Sequence, residues 1–432
     1  MKTVNEYFGL TDSDRIEAAM KDMENGIFYL PRRVSDVEPE RDYWLIDRAI
    51  LVPANTTIIL QNCKIKLSDA CRDNFFRSAN CGIGINPIQP IDNIHIKGIG
   101  ICVLEGADHP RATGDGGKIL ANPCPKRSDD LLKYADWISD ESRAAGRTNF
   151  DEEHSHSYGT DTGKAGESQF GDWRGIGILF ARATHFSIEN LRIIRSHGWG
   201  ISLEDCSFGS VEYIDFHSTM EQEIDGLLNN TENQDGIDLR NGCHHITISN
   251  ITGGTGDDLI ALTAIADQGK PRADGAVEHT THVMSNDWTK RDPNIHDIVI
   301  KNVMGYSKGG ICFLIRLLPA NAKIWNVVID NVIDTSPDGF NPGGVLLMGS
   351  GDGEYGANPV DGMQYITVSN MVCNSHRAII IGGFVSYCSF SNIINRNNDS
   401  PVVAIYRKEG FKENAVSNLV SVNGRLVEDR SK

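Results

Sequence analysis

The sequence predicts an all-β fold: a single-stranded, right-handed parallel β-helix (a β-solenoid) with a short N-terminal capping helix. Three observations carry this expectation. Short β-rich runs recur with an Asn near the centre: HFSIENLRII, HITISNITG, IHDIVIKNV, IWNVVIDNV, MQYITVSNM, YCSFSNIIN and NAVSNLVSV. These Asn residues stand at 190, 250, 302, 331, 370, 392 and 418, and the closest of them are 22, 26 and 29 residues apart. Each run is followed by a second apolar one: GISLEDC, GIDLRNG, DLIALTA, GICFLIR, GVLLMGS, AIIIGGF, VVAIY. A period of this length, with two or three strands per repeat, describes rungs stacked about 4.8 Å apart. Asn tolerates the left-handed backbone of such turns, and its amide can bond to like residues above and below. Strands of a sandwich or barrel would not keep the Asn in one phase.

The elements follow in order. Residues 1–50 read as a cap and first strands. Ile16, Met20 and Met23 recur at helical spacing, Asp12 or Ser13 can cap the start, and Gly26 can end the helix. The strand-like IFYLPRR comes next, then VPANTTIILQNCKIKLS and IDNIHIKGIGICVLEG, which are β-rich and broken by Asn and Gly. The repeat proper starts at about residue 174. Two insertions interrupt it: residues 107–172, polar with one helix-like stretch, and residues 263–295. Long loops in a rigid repeat usually carry function or wall a cleft. The whole of 1–432 is expected to be one domain.

Composition narrows the function. The chain has 432 residues, 40% of them hydrophobic, and a net charge of −17. That excludes a disordered chain or a coiled coil. The acidic balance argues against nucleic acid or an anionic membrane as partner, and mildly against polyanionic substrates. No stretch approaches the roughly 20 apolar residues of a membrane span. The N-terminus MKTVNEYFGLTDSD lacks an apolar export signal, which leads us to expect a cytoplasmic protein, or a secreted or periplasmic one whose signal has been removed. The cysteines form no CxxC pair, and Cys206, Cys312 and Cys373 sit where core residues belong, so buried free thiols are expected.

Stacking brings equivalent residues of consecutive rungs into columns. Aligning the second runs gives one column of Arg174, Trp199, Asp235, Asp258 and Gly309, with Asp257 beside Asp258. Three carboxylates thus fall on two neighbouring rungs, and Asp238 lies near, further along its strand. Like charges this close raise at least one pKa, which separates a proton donor from a carboxylate that orients water. Glycoside hydrolysis needs that division. An isolated Asp-Asp would more often be a solvated turn or a Ca²⁺ site; three aligned carboxylates beside Trp199 favour chemistry.

At these residues the sequence resembles glycoside hydrolase family 28, the polygalacturonase group of the pectin-lyase-like superfamily. The family's Asn-Thr-Asp-Gly motif matches Asn233-Gln234-Asp235-Gly236, its Gly-Asp-Asp motif matches Gly256-Asp257-Asp258, and a Trp-bearing rung precedes both, here with Trp199. The resemblance covers roughly residues 174–350, and the N-terminal helix looks like the cap of related chains. It implies inverting hydrolysis of a glycosidic bond in a pectin-derived or related plant glycan, with no metal and no cofactor. Asp257 would be the general acid, and Asp235 with Asp258 would activate water, the two sides about 6.5–9.5 Å apart.

Two departures from the family bear on the substrate. Its Gly-His-Gly motif falls on YSKGGICF, where Gly309 takes the His place, as in the rhamnogalacturonan-cleaving branch. Its Arg-Ile-Lys motif falls on GGVLLM, where Leu346 and Met348 replace the two cations that meet a galacturonate carboxylate. A neutral, rhamnosyl or decorated sugar is therefore expected next to the cleaved bond. In this alignment Lys308 stacks on Asp257, where it would lower the pKa of the acid, and Arg316 could supply a displaced cation. Trp199 and Trp173 could stack on sugar rings or pack in the core. His197 could bond a sugar hydroxyl or serve the structure. His279 and His282, like His154 and His156, lack metalloprotease spacing, so no metal site is expected. The long insertions favour exo action on oligosaccharides. A lyase or epimerase on the same fold, or a non-catalytic, tailspike-like glycan binder, are the rival readings.

Overall fold

The computed structural model describes residues 3–69, 71, 73–82, 85, 88–108, 175–219, 221–224, 227–230, 234–266, 292–308, 312–337, 343–349 and 356–431. Apart from the helix Asp12–Lys21 and two single 3₁₀ turns, its regular structure is β. The strands pair in parallel, save one antiparallel hairpin at Glu221–Ile224 and Leu227–Asn230. Among the described residues no helix is long and apolar enough to cross a membrane. By its contacts the chain forms two units: residues 1–202 with 220–234 and 268–289, and residues 203–219, 235–267 and 290–432.

In the first unit, Ile27–Pro31, Thr56–Gln61, Ile91–Ile99 and Ala183–Ile194 stack as one parallel ladder. A second ladder runs through Trp44–Ile46, Lys64–Leu67 and Val103–Glu105, a third through Ile50–Val52, Phe76–Ser78 and Ile178–Ala181. The helix closes the start of these ladders. Its cap is Thr11, not Asp12 or Ser13: the Asp14 amide donates to Thr11 Oγ1 at 3.2 Å, and Asp14 accepts from the Thr11 amide at 3.0 Å. Asp12 is buried instead, paired with Arg33 at 3.2 Å and Arg41 at 2.8 Å while accepting the Leu45 amide. The helix stops at Lys21, and Asn25 and Gly26, both in the left-handed region, turn the chain into the first strand. A side chain at position 26 would collide with the Asn55 carbonyl, 2.1 Å from its Cβ.

The second unit repeats the plan. Ser207–Ser218, His244–Thr255, Ile295–Ser307, Ile324–Asp334, Met363–Cys373, Ser389–Asn395 and Ala415–Ser421 form one ladder. Ile237–Arg240, Ile260–Ile265, Phe313–Ala320, Gly344–Met348, Arg377–Ile381, Val403–Ile405 and Val427–Asp429 form the other. In the latter, Ile237, Ile260, Ile315, Leu346 and Ile379 stack in register and are fully buried, one inward column of the core. Each such side chain contributes about 1.5–3 kcal/mol relative to exposure. The Asn of the repeat sit in the left-handed turn, at φ of 55° for Asn302 and Asn331, for example. Their amides bond along the stack, Asn302 to Asn250 at 3.1 Å and Asn331 to Asn302 at 2.8 Å. The described cysteines are all free and buried.

Candidate active site

Asp235, Asp238, Asp257 and Asp258 come together in the second unit. The ladder sets this directly: Ile237 pairs with Ile260, and the Gly236 amide donates to the Asp258 carbonyl at 2.9 Å, so Asp235 is level with Asp258. Asp257 is fixed through its backbone. Thr255 Oγ1 and Ser307 Oγ each donate to its carbonyl at 2.8 Å, and its Oδ1 accepts the Asp258 amide at 2.9 Å. Asp258 is held from the next rung, where the Phe313 amide donates to Oδ1 at 2.6 Å and Arg316 pairs with Oδ2 at 3.1 Å. The Arg316 guanidinium lies 5.8 Å from the centre of the Phe313 ring.

Burial decides the electrostatics. Asp258 and Asp238 are 1% exposed and Asp235 6%, while Asp257 is half-buried. Desolvation lifts Asp235 well above the usual carboxylate range, and the charges of Asp257, Asp238 and Asp258 push the same way. Burial also raises Asp238 strongly, against the pull of Arg240. Asp258 is pushed up to about 7 by burial, held from going further by Arg316. For Arg316 itself, burial works against the charge, and Asp258 and then Asp257 outweigh it, so it stays a cation. The group therefore keeps a proton at neutral pH beside a fixed positive charge, the arrangement acid–base chemistry requires.

Asp257, Asp258 and Cys312 also offer three donor atoms within 4.8 Å of one another. They fit a cation poorly. Burial and the adjacent Asp257 and Asp258 hold the Cys312 thiol in its protonated form, and both Asp258 oxygens are already engaged.

Register corrects three readings of the sequence. Between the Asp258 rung and the next, the long ladder pairs Thr255 with Ser307, whereas the other pairs Ile260 with Ile315. The two registers differ, so Phe313 stands level with Asp258 in the place the sequence alignment gave to Gly309, which lies outside the described residues. Lys308 is shifted too: its amide donates to the Thr255 carbonyl at 2.9 Å, which sets it level with Gly256, and Cys312 is level with Asp257. Finally, Leu346 and Met348 face the core, stacked on Ile315 and Leu317. The outward residue of that strand is Leu347, in the column Asp238, Ala261, Arg316, Leu347, Ile380. A one-residue slip exchanges the two faces of a strand. Beyond Arg316, Phe313, Leu347 and Ile380 pack together as a buried apolar cluster.

The other proposed contacts fall in the first unit. His197 is half-buried, its Nε2 accepts the Ala107 amide at 2.9 Å, and desolvation lowers its pKa to about 4. Trp199 packs against the apolar cluster of Cys81, Ile88, Ile176, Leu179 and Ala181. Arg174, Trp173, His154, His156, His279 and His282 lie outside the described residues, as do most of the two insertions. Asp238, placed near the group by the sequence but outside the catalytic set, is electrostatically part of it. Aligning GIDL on LIAL and LIRL places it in the column of Ala261 and Arg316, which was the available signal.

No family model matches the sequence, and no curated protein does. Solved structures do. A polygalacturonase from Erwinia carotovora superposes with a TM-score of 0.51 at 13% identity, covering 96% of this chain and 92% of that one. The endo-xylogalacturonan hydrolase of Aspergillus tubingensis gives 0.50 at 12% identity, covering 98% and 93%. A tailspike protein variant of E. coli bacteriophage HK620 gives 0.52 at 10% identity, covering 98% of this chain and 61% of that one. The chain thus shares the right-handed parallel β-helix fold with a polygalacturonase, a xylogalacturonan hydrolase and a phage tailspike.

Proposed function

We propose that the chain is an inverting glycoside hydrolase acting on a pectin-derived or related plant glycan, with a neutral or rhamnosyl sugar next to the cleaved bond. The observation that carries this reading is the Asp235–Asp257–Asp258 group with its retained proton and the partly buried Arg316 paired to Asp258. Asp257, the member not fully buried, donates a proton to the leaving oxygen. Asp258, ionised against Arg316, removes a proton from water that Asp235 helps to hold. The neutral sugar is read from the sequence: Leu346, Leu347 and Met348 bring no cation to the strand beyond Arg316, where a uronate carboxylate would need one. Exo action on oligosaccharides and a cytoplasmic place of action belong to the same proposal, and both rest on the sequence.

Asp257→Asn tests the assignment. It removes the donor and preserves shape, so hydrolysis of pectic oligosaccharides should fall by about 10²–10⁴-fold with binding retained. A second reading, a non-catalytic glycan binder, draws on the closed Asp258–Arg316 pair, which leaves neither Asp258 oxygen unpartnered. Wild-type protein that binds such oligosaccharides and never cleaves them would favour it. An unsaturated product absorbing in the ultraviolet would point instead to a lyase.

A further inference from the structure

At the opposite end of the His244–Thr255 strand from the acid group, two consecutive rungs place metal-ligating side chains at one turn. His244 and His245 stand on the first rung, His296 and Asp297 on the second, with His244 in register with His296. His245 and Asp297 adopt left-handed backbone, at φ of 54° and 56°. This breaks strand alternation, and sequence neighbours converge instead of pointing to opposite faces. Asp297 Oδ2 lies 2.7 Å from His296 Nδ1 and 3.6 Å from His245 Nδ1. Two ligands of one tetrahedral zinc ion lie about 3.3 Å apart, given bonds of about 2.0–2.1 Å. The two observed distances bracket that value, and the donor atoms of all three residues lie within 4.8 Å of one another.

The surroundings hold these groups in place. Asn326 on the next rung donates to Asp297 Oδ1 at 2.9 Å, which orients Oδ2 toward the imidazoles. The His296 ring is stacked between His244 at 5.0 Å and Trp325 at 4.5 Å, within 12° of parallel to either. Phe208 packs on His245 at 4.8 Å. The side chains of His245, His296 and Asp297 remain 47%, 21% and 33% exposed, so an ion can enter.

We propose that His245, His296 and Asp297 bind one divalent transition-metal ion, zinc above all, and that the ion ties the two rungs together. Two imidazoles and one carboxylate suit zinc, copper or nickel and disfavour magnesium or calcium. Water completes the coordination. The two rungs are joined through the second insertion, so the ion closes a long loop, where a cross-link restricts the unfolded chain most.

The test is a zinc titration of the chelator-stripped full chain by calorimetry, with Co²⁺ absorption as a second readout. The expected result is one ion per chain and the intense visible bands of tetrahedral cobalt. His245→Ala and Asp297→Asn should each weaken binding at least about tenfold. His185→Ala, which removes a His–Asp92 pair of similar length in the first unit, should change nothing. Circular dichroism identifies any variant that has lost its fold. Failure of the wild type to take up zinc in stoichiometric amount, or undiminished uptake by a folded His245→Ala/Asp297→Asn protein, would overturn the proposal.

Discussion

Arg316 is the residue on which the acid group turns. Without it, the four neighbouring carboxyls would have, among the described residues, Arg240 as the buried cation to oppose them. With it, Asp258 titrates at about 7, not higher. If Asp258 must be ionised to take a proton from water, activity rises with pH through about 7, and the acid limb of kcat/KM lies there. Arg316→Met removes the cation, raises the pKa of Asp258 further, and should move that limb upward by a unit or more. A pH–rate profile measures this directly. An unmoved limb would mean that Asp258 is not the group that titrates. The carboxyls at 235, 257 and 258 were legible in the sequence because two motifs in order on a repeat define them. Arg316 was legible as a candidate cation, but not as the partner of Asp258, because that pairing depends on the register of the next rung, which the sequence does not reveal.

At the scale of the element, a strand of a β-helix has two unlike faces separated by one residue. Leu346 and Leu347 show how much depends on this. Leu346 is fully buried between Ile315 and Ile379, whereas Leu347 stands outward beside Arg316 and Ile380. Leu346→Lys should cost several kcal/mol or prevent folding, since it buries a charge with no partner. Leu347→Lys, on the other face but within the buried cluster of Phe313 and Ile380 and next to Arg316, should also destabilise, by less than Leu346→Lys. Urea unfolding of the two variants would check that order. Sequence alignment put the replaced cations at 346 and 348, one position out of phase, because GGVLLM is apolar on both faces and carries no alternation to fix its parity. The Asn turns were readable for the opposite reason. A left-handed position excludes most side chains, so the residue that fits it recurs visibly.

For the whole molecule, repetition is what made the fold predictable. Stacked rungs repeat the same burial pattern, and the sequence repeats with them, even where solved structures of the same fold share only 10–13% of their residues with this chain. The chemistry is not repeated and depends on a few side chains meeting across rungs. The most direct test of the account follows hydrolysis of a panel of pectic oligosaccharides, rhamnosyl and galacturonosyl, by NMR at early times. The account predicts a first-formed sugar of inverted anomeric configuration, released from a rhamnosyl or neutral substrate and abolished by Asp257→Asn. A retained configuration, or release that persists in Asp257→Asn, would contradict it.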